Sequence, residues 1–185
     1  MKPALFKRNP QVTRTAKTLR VQTISPRATR GVLKLGELAF PCSLGRSGAR
    51  HIKREGDGAS PKGSWQLRRL FYRADRILPP GTALKPSALR PGDGWCDASG
   101  DRNYNRLVRL PYAASHEVLT RDDNLYDIVV ELSHNARPRI QGLGSAVFFH
   151  LRPPDGGPTA GCIAVSPRDM RIILARVSRK TRLVI

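Results

Sequence analysis

Hydrophobic and polar residues alternate over several short segments of the chain, which is typical of β-strands with one buried face. Residues 126–132 and 145–150 are the two clearest strand predictions, because they are rich in β-branched and aromatic side chains and have clear boundaries. The pattern predicts strands in the following segments: 19–24, 31–36, 37–42, 64–72, 126–132, 145–150 and 183–185. The chain is therefore expected to be mainly β.

One helix is indicated near residues 167–177. Ser166 suits the N-cap position, and Pro167 suits the first helical position, where no N–H is needed. Apolar residues then recur at helical spacing and would form one buried face, made of Met170, Ile173, Leu174 and Val177. Residues 79–105, by contrast, are rich in Pro, Gly and Asp and show no periodicity, which predicts a long loop.

The length of 185 residues predicts one domain with its own hydrophobic core. Residues 1–17 contain Lys and Arg but no acidic residue and no apolar periodicity, so we interpret them as a basic N-terminal arm before a domain over residues 18–185. No apolar stretch approaches the ~20 residues that span a bilayer. No apolar leader segment is visible either, so neither a transmembrane segment nor a secretory signal is expected.

The charge is the first indication of a partner. Lys and Arg total 33 against 14 Asp and Glu, which gives a formal net charge of +19. Such a field attracts nucleic acid, an anionic membrane or an anionic cell-wall polymer, although a solvated basic surface without a specific partner is the simpler interpretation. The basic residues are spread along the whole chain and are not interleaved with aromatics, which speaks against a nucleic-acid-binding stripe.

The most informative segment for chemistry joins His150 to Cys162. His150 ends a predicted strand, and the turn-forming residues 152–158 could bring Cys162 beside it. A cysteine acts as a nucleophile through its thiolate, and a neighbouring imidazole can take the thiol proton. The N–H groups of Gly161 and Cys162 could then face a developing oxyanion. The structural alternative is a small core cysteine and a satisfied polar histidine.

A metal site is a weaker interpretation of the same residues. His150 and Cys162 supply only two ligands, and the other His and Cys residues show no short ligand pairing. Neither a metal nor a cofactor is therefore expected. Three cysteines are too few for a disulfide scaffold; Cys42 and Cys96 are expected to be buried thiols, with a disulfide between them as the alternative.

Two motifs resemble those of a known family. Residues 159–163, Thr-Ala-Gly-Cys-Ile, follow His150 and are similar to the Ser/Thr-x-Gly-Cys-Ile/Val signature of the L,D-transpeptidase (YkuD-type) family. Residues 55–63, Glu-Gly-Asp-Gly-Ala-Ser-Pro-Lys-Gly, resemble that family's Gly-Asp-Gly-x-Thr/Ser-Pro-x-Gly turn. The resemblance covers about residues 18–185 and fits the compact, single-domain branch common in Gram-negative bacteria.

The resemblance implies a mixed β-sandwich-like catalytic domain that cross-links peptidoglycan. In this family the enzyme attacks the third residue of a stem tetrapeptide, releases the terminal D-Ala and passes the resulting thioester to an amine. Carried over by motif, Cys162 would be the nucleophile, His150 the base and Gly161 part of the oxyanion site. The family also implies peptidoglycan stem peptides as partners, the periplasm or cell envelope as the location, a part in cell shape, and acylation by carbapenems.

Two positions depart from the family pattern. Leu151 follows the histidine where many members have Gly, and Ala164 stands where many have Arg. The missing Arg leaves the substrate contacts open, with Arg152 and Arg168 as candidate replacements. The acceptor is open too, because the same motif serves members that hydrolyse. The alternatives are thus an L,D-carboxypeptidase with the same site, a basic nucleic-acid-binding module, and a cytosolic thiol protease.

Overall fold

The computed structural model describes residues 16–185, which contain fourteen strands and one helix. In chain order the elements are β1 (Thr18–Gln22), β2 (Arg30–Leu35), β3 (Leu38–Ser43), β4 (Ala49–Arg50), β5 (Ser60–Pro61), β6 (Ser64–Tyr72), β7 (Pro86–Ala88), β8 (Asp93–Cys96), β9 (Arg106–Arg109), β10 (His116–Val118), β11 (Ile128–Leu132), β12 (Phe148–Leu151), β13 (Ile163–Val165), α1 (Pro167–Leu174) and β14 (Arg182–Val184). The prediction of a mainly β fold with a late helix is confirmed.

The main sheet contains nine strands in the order β11-β12-β13-β3-β2-β1-β14-β6-β7. Strand β6 also pairs with β11, so the sheet curls round and its two ends meet. The nine residues of β6 are long enough to pair with β14, β7 and β11, and the register to β11 shifts between Val130 and Leu132. The sheet is mixed, since β1–β14, β6–β7 and β12–β13 are parallel pairs.

The main core lies inside this curled sheet. Strands β1 and β2 bury alternate residues, whereas β11, β12 and β13 are buried along their whole length. The difference arises because a strand covered by other residues on both faces is buried throughout, whereas a strand covered on one face buries every second residue. Helix α1 packs Met170, Ile173 and Leu174 into the core. The buried inner residues include Leu19, Leu33, Leu70, Val130, Phe149, Ile163 and Leu183.

The helix begins where the sequence predicts and ends earlier. Ser166 is the N-cap, and its hydroxyl accepts a hydrogen bond from the Asp169 N–H at 3.1 Å. The helix ends at Leu174 with Ala175 as C-cap, although Val177 beyond it is still buried. Apolar spacing therefore gave the correct buried face but overestimated the helix length, because burial continues after the helical hydrogen bonds stop.

The prediction of an unbroken loop over residues 79–105 is wrong in part. Strands β7 and β8 lie within it, and β8 is the centre of a three-stranded sheet in the order β10-β8-β9. Both strands are short, so their pairing partners stabilise them more than their own composition does. Trp95 of β8 packs edge-on against Phe148 at a ring distance of 5.1 Å, which fixes the small sheet over the start of β12.

Three further expectations concern the cysteines, the N-terminal arm and membrane-spanning helices. All three cysteines are buried and free, so Cys42 and Cys96 form no disulfide here. Of the proposed arm over residues 1–17, residues 1–15 lie outside the described part of the chain. Ala16 and Lys17 are hydrogen-bonded to the C-terminal segment through Arg176 and Arg182. No helix in residues 16–185 is both long and apolar enough to cross a membrane.

Candidate active site

The parallel pairing of β12 with β13 brings the two candidate catalytic residues together. His150 lies opposite Ala164, and Phe149 lies opposite Ile163, so Cys162 sits one position before β13. The side chains of His150 and Cys162 both line one pocket of about 660 Å³. The chain reverses through residues 152–158 and returns beside itself, as the turn-forming sequence predicts.

Cys162 is buried and hydrogen-bonded, with 7% of its surface exposed. Its Sγ accepts a hydrogen bond from the Phe148 N–H at 3.3 Å and donates one to the Ala146 carbonyl at 3.2 Å. Burial, followed by the negative charge of Glu117, raises the pKa of the Cys162 thiol to about 12. The thiol is therefore protonated at neutral pH.

His150 is held in one orientation by the backbone. Its Nδ1 lies 2.7 Å from the Leu151 carbonyl oxygen, and because a carbonyl only accepts, Nδ1 carries the hydrogen. The other ring nitrogen, Nε2, then has a free lone pair. Tyr126 packs edge-on against the imidazole at a ring distance of 5.1 Å. Burial lowers the pKa of His150 to about 4, so the imidazole is neutral at pH 7.

The loop before Cys162 is fixed by a small hydrogen-bond network. The Gly161 N–H donates to Thr159 Oγ1 at 3.1 Å, and that hydroxyl donates to the Cys162 carbonyl at 2.7 Å. The hydroxyl of Ser60 donates to the same carbonyl at 3.2 Å. Gly161 has φ +142°, and a Cβ there would approach the Ala59 carbonyl oxygen to 3.0 Å, so this position requires glycine.

The turn over residues 55–63 packs directly against that loop. The Lys53 ammonium pairs with Asp57 at 2.5 Å and donates to the Arg54 carbonyl at 2.8 Å. Burial raises the pKa of Asp57, but hydrogen bonds from Lys53 and from the Arg54 and Ala59 N–H groups outweigh it, so the net pKa is lowered. The motif is thus a turn, and it carries a buried ion pair at the pocket wall.

Strand β10 supplies the opposite, acidic part of the pocket. Glu117 accepts a hydrogen bond from the Tyr126 hydroxyl at 2.5 Å and lies 3.7 Å from Arg121. Burial raises the pKa of Glu117 despite these two partners. Glu117 stands in no motif, and the sequence gave no signal for Glu117 or Lys53. Tyr126 lies in the strand predicted over residues 126–132, but its contact with Glu117 was not predicted.

Three cationic side chains line the pocket, and they differ in their partners. Lys53 is paired with Asp57, and Arg121 is paired with Asp123 at 2.6 Å. Arg46 is exposed and has no carboxylate partner among residues 16–185. Arg152 and Arg168, the two candidates suggested by sequence, do not line this pocket.

No cluster of three His, Cys, Asp or Glu side chains within the described residues is arranged to hold a metal ion. The pocket instead combines a thiol, an oriented neutral imidazole, one free guanidinium and half-buried carboxylate groups.

Comparison with known families gives one match. The family model of the L,D-transpeptidase catalytic domain, YkuD, matches residues 24–185. Comparisons with curated proteins and with solved structures gave no significant match.

Proposed function

The chain belongs to the YkuD family of L,D-transpeptidase catalytic domains, and from this we propose that it is a cysteine acyltransferase acting on peptidoglycan stem peptides. The observation that carries the proposal is the shared pocket of Cys162 and His150, in which the Leu151 carbonyl leaves the Nε2 lone pair of His150 free. Cys162 is the nucleophile, and His150 is the base and later the acid.

In the first half-reaction the thiol proton of Cys162 passes to Nε2 of His150 while Sγ forms a bond to the carbonyl carbon of the third stem residue. The carbon–nitrogen bond to the terminal D-Ala then breaks, and the imidazolium returns the proton to the leaving amine. In the second half-reaction an acceptor amine attacks the thioester, the carbon–sulfur bond breaks, and the thiol is restored.

The resting protonation state supports general-base catalysis. The pKa of Cys162 is about 12 and that of His150 is about 4, so a neutral thiol and a neutral imidazole face the substrate. A charged thiolate–imidazolium pair is disfavoured because both ions would be buried. Proton transfer therefore accompanies the attack, and substrate binding precedes activation of the thiol.

The oxyanion of the tetrahedral intermediate is assigned to the backbone at Gly161 and Cys162. The Gly161 N–H donates to Thr159, whereas the Cys162 N–H donates to no partner among the described residues. Cys162 N–H is thus the donor available to a new oxyanion, and Gly161 contributes the backbone conformation that sets its direction.

Arg46 is the group best suited to the terminal carboxylate of the donor. It lines the same pocket as Cys162 and lacks a carboxylate partner in residues 16–185. Its position is set by the turn, because a Cβ at Gly58 would approach the Arg46 Cγ and Nε to 2.9 Å. A guanidinium can bind a carboxylate through two parallel hydrogen bonds.

The test is incubation with a disaccharide-tetrapeptide, followed by mass spectrometry of the protein and of the products. We expect an acyl-enzyme, loss of D-Ala, and a cross-linked dimer, with a tripeptide if water competes as acceptor. Cys162→Ala should abolish all three, whereas Cys42→Ala, the matched buried thiol outside the pocket, should retain them. Equal activity of Cys162→Ala and the parent protein would refute the proposal.

A further inference from the structure

The pocket has an acidic wall that faces the nucleophile. In the pairing of β8 with β10, Trp95 lies opposite Glu117, and Asp97 follows Trp95 by two residues. Asp97 lies one residue beyond the end of β8, where its N–H donates a hydrogen bond to the Ser115 carbonyl, just before β10, at 3.2 Å. Asp97 and Glu117 both line the pocket that contains Cys162.

Two polar atoms in this pocket are buried without a partner. Asp97 Oδ1 and Ser145 Oγ have no hydrogen-bond partner in residues 16–185, although Ser145 is only 8% exposed. Buried polar oxygens are normally hydrogen-bonded, because leaving one unpaired destabilises the folded protein. Ser145 directly precedes Ala146, whose carbonyl accepts from the Cys162 thiol, so the unpaired hydroxyl is adjacent to the nucleophile.

The negative charge of Glu117 is unfavourable for ionisation of the Cys162 thiol. Its charge opposes ionisation of Cys162, so it works against the first half-reaction. A hydrogen bond from Tyr126 does not require an acid, since an amide oxygen would accept it equally well. Glu117 has Arg121 at 3.7 Å, whereas Asp97 has no ion-pair partner among residues 16–185, so a cationic ligand would balance the remaining charge of this wall.

We propose that Asp97, Glu117 and Ser145 bind the acceptor as a primary ammonium, which makes this wall the acceptor subsite of the transferase. An ammonium has three N–H donors, and the residues of this wall carry two carboxylates and one hydroxyl that can accept hydrogen bonds, with Asp97 Oδ1 and Ser145 Oγ unpartnered among residues 16–185. The inference rests on the proposed function, because it concerns the second half-reaction at the same thioester.

Protons balance in this scheme. After D-Ala leaves, His150 is neutral and takes one proton from the bound ammonium, which becomes a nucleophilic amine. The amine nitrogen forms its bond to the thioester carbon, the bond from carbon to Sγ breaks, and the departing thiolate takes a second proton from that nitrogen. One proton stays on the product amide, and His150 releases its proton to solvent.

The subsite is tested by how the acyl-enzyme divides between transfer and hydrolysis. Asp97→Asn and Glu117→Gln should lower the ratio of cross-linked to hydrolysed product about 10–100-fold with an ammonium acceptor. The same variants should form the acyl-enzyme at least as fast as the parent, because neither carboxylate acts in the first half-reaction and Glu117→Gln removes a charge that opposes thiol ionisation. Glu37→Gln, an exposed glutamate outside the pocket, should change neither quantity.

An uncharged nucleophile distinguishes loss of ammonium binding from damage to the folded protein. Transfer to hydroxylamine, which is uncharged at pH 7, should be unaffected by Asp97→Asn and Glu117→Gln. If transfer to both nucleophiles falls equally, or if acyl-enzyme formation slows in parallel, the acceptor subsite is refuted.

A second measurement does not depend on acyl-enzyme formation. Propylamine, a primary ammonium without a carboxylate, would offset the charge of Glu117 when bound at this wall and speed alkylation of Cys162 by iodoacetamide. We expect a saturable acceleration in the parent protein and its loss in Asp97→Asn. If the amine accelerates alkylation but no acyl-enzyme ever forms, the proposed function is refuted and the amine site stands. If the parent forms an acyl-enzyme but the amine does not accelerate its alkylation, the amine site is refuted and the proposed function stands.

Discussion

A buried neutral His150 predicts a specific loss of stability in acid. The folded protein holds the pKa of His150 at about 4, against a usual value of 6.5, because the imidazole is buried. Between these two values the unfolded chain binds more protons than the folded one, so stability falls as pH falls. The contribution of His150 is fully present above pH 6.5 and is lost as pH approaches 4.

The magnitude follows from the size of the shift. A difference of about 2.5 units is worth about 3 kcal/mol at pH 4, since each unit corresponds to about 1.4 kcal/mol. His150→Asn removes the titrating group and keeps a side-chain N–H that can donate to the Leu151 carbonyl. The free energy of unfolding of the parent should therefore decrease about 3 kcal/mol more than that of His150→Asn between pH 7 and pH 4.

Urea denaturation of both proteins at pH 7, 5.5 and 4 measures this difference. Carboxylates with lowered pKa values, such as Asp57 and Asp123, also reduce stability in acid, but they are common to both proteins and cancel. Parallel pH dependences would show that His150 is not held neutral by burial. At pH 7 the same substitution should slow acylation about 10²–10⁴-fold, which is the range for loss of a general base.

Three further predictions concern the same site and surface. A carbapenem should add its own mass to the parent and not to Cys162→Ala; an unmodified parent after long incubation would count against the family mechanism. Arg46→Ala should lower turnover of a tetrapeptide with a free C-terminal carboxylate about 10-fold or more, but should not lower turnover of the same peptide with a C-terminal amide. Arg50→Ala, at an exposed position outside the pocket, is the control. Pull-down with isolated sacculi should weaken with salt far more than tetrapeptide turnover does, because the basic surface acts over about 8 Å at physiological ionic strength; equal salt responses would contradict this.

Local sequence determined the parts of the fold that depend on neighbouring residues. Alternation predicted the region of β1, since a strand with one buried face repeats every two residues, and β-branched and aromatic content predicted the regions of β11 and β12. Ser166 and Pro167 gave the start of α1 correctly, because an N-cap is a contact between residues three positions apart. The motif around Cys162 identified the family, which the match over residues 24–185 bears out.

The short strands, and the pairing that closes the main sheet, could not be predicted from local sequence patterns. Strand β8 is buried along its length, but its glycine, aspartate and cysteine have no strand pattern of their own. It exists through its pairing with β9 and β10 and through the packing of Trp95 on Phe148. The pairing of β6 with β11 joins distant segments, and period-two patterns specify a buried face without specifying a partner.

The acidic wall and the protonation state of the site were likewise decided only by tertiary structure. Asp97, Glu117 and Ser145 come from three separate segments, and nothing in the residues around them marks a shared pocket. Sequence named Cys162 and His150, but their neutral resting forms follow from burial on all sides, and burial is produced by segments far away in the chain. The identity of a reactive group is local, whereas the free energy of its charge depends on every atom that replaces water around it.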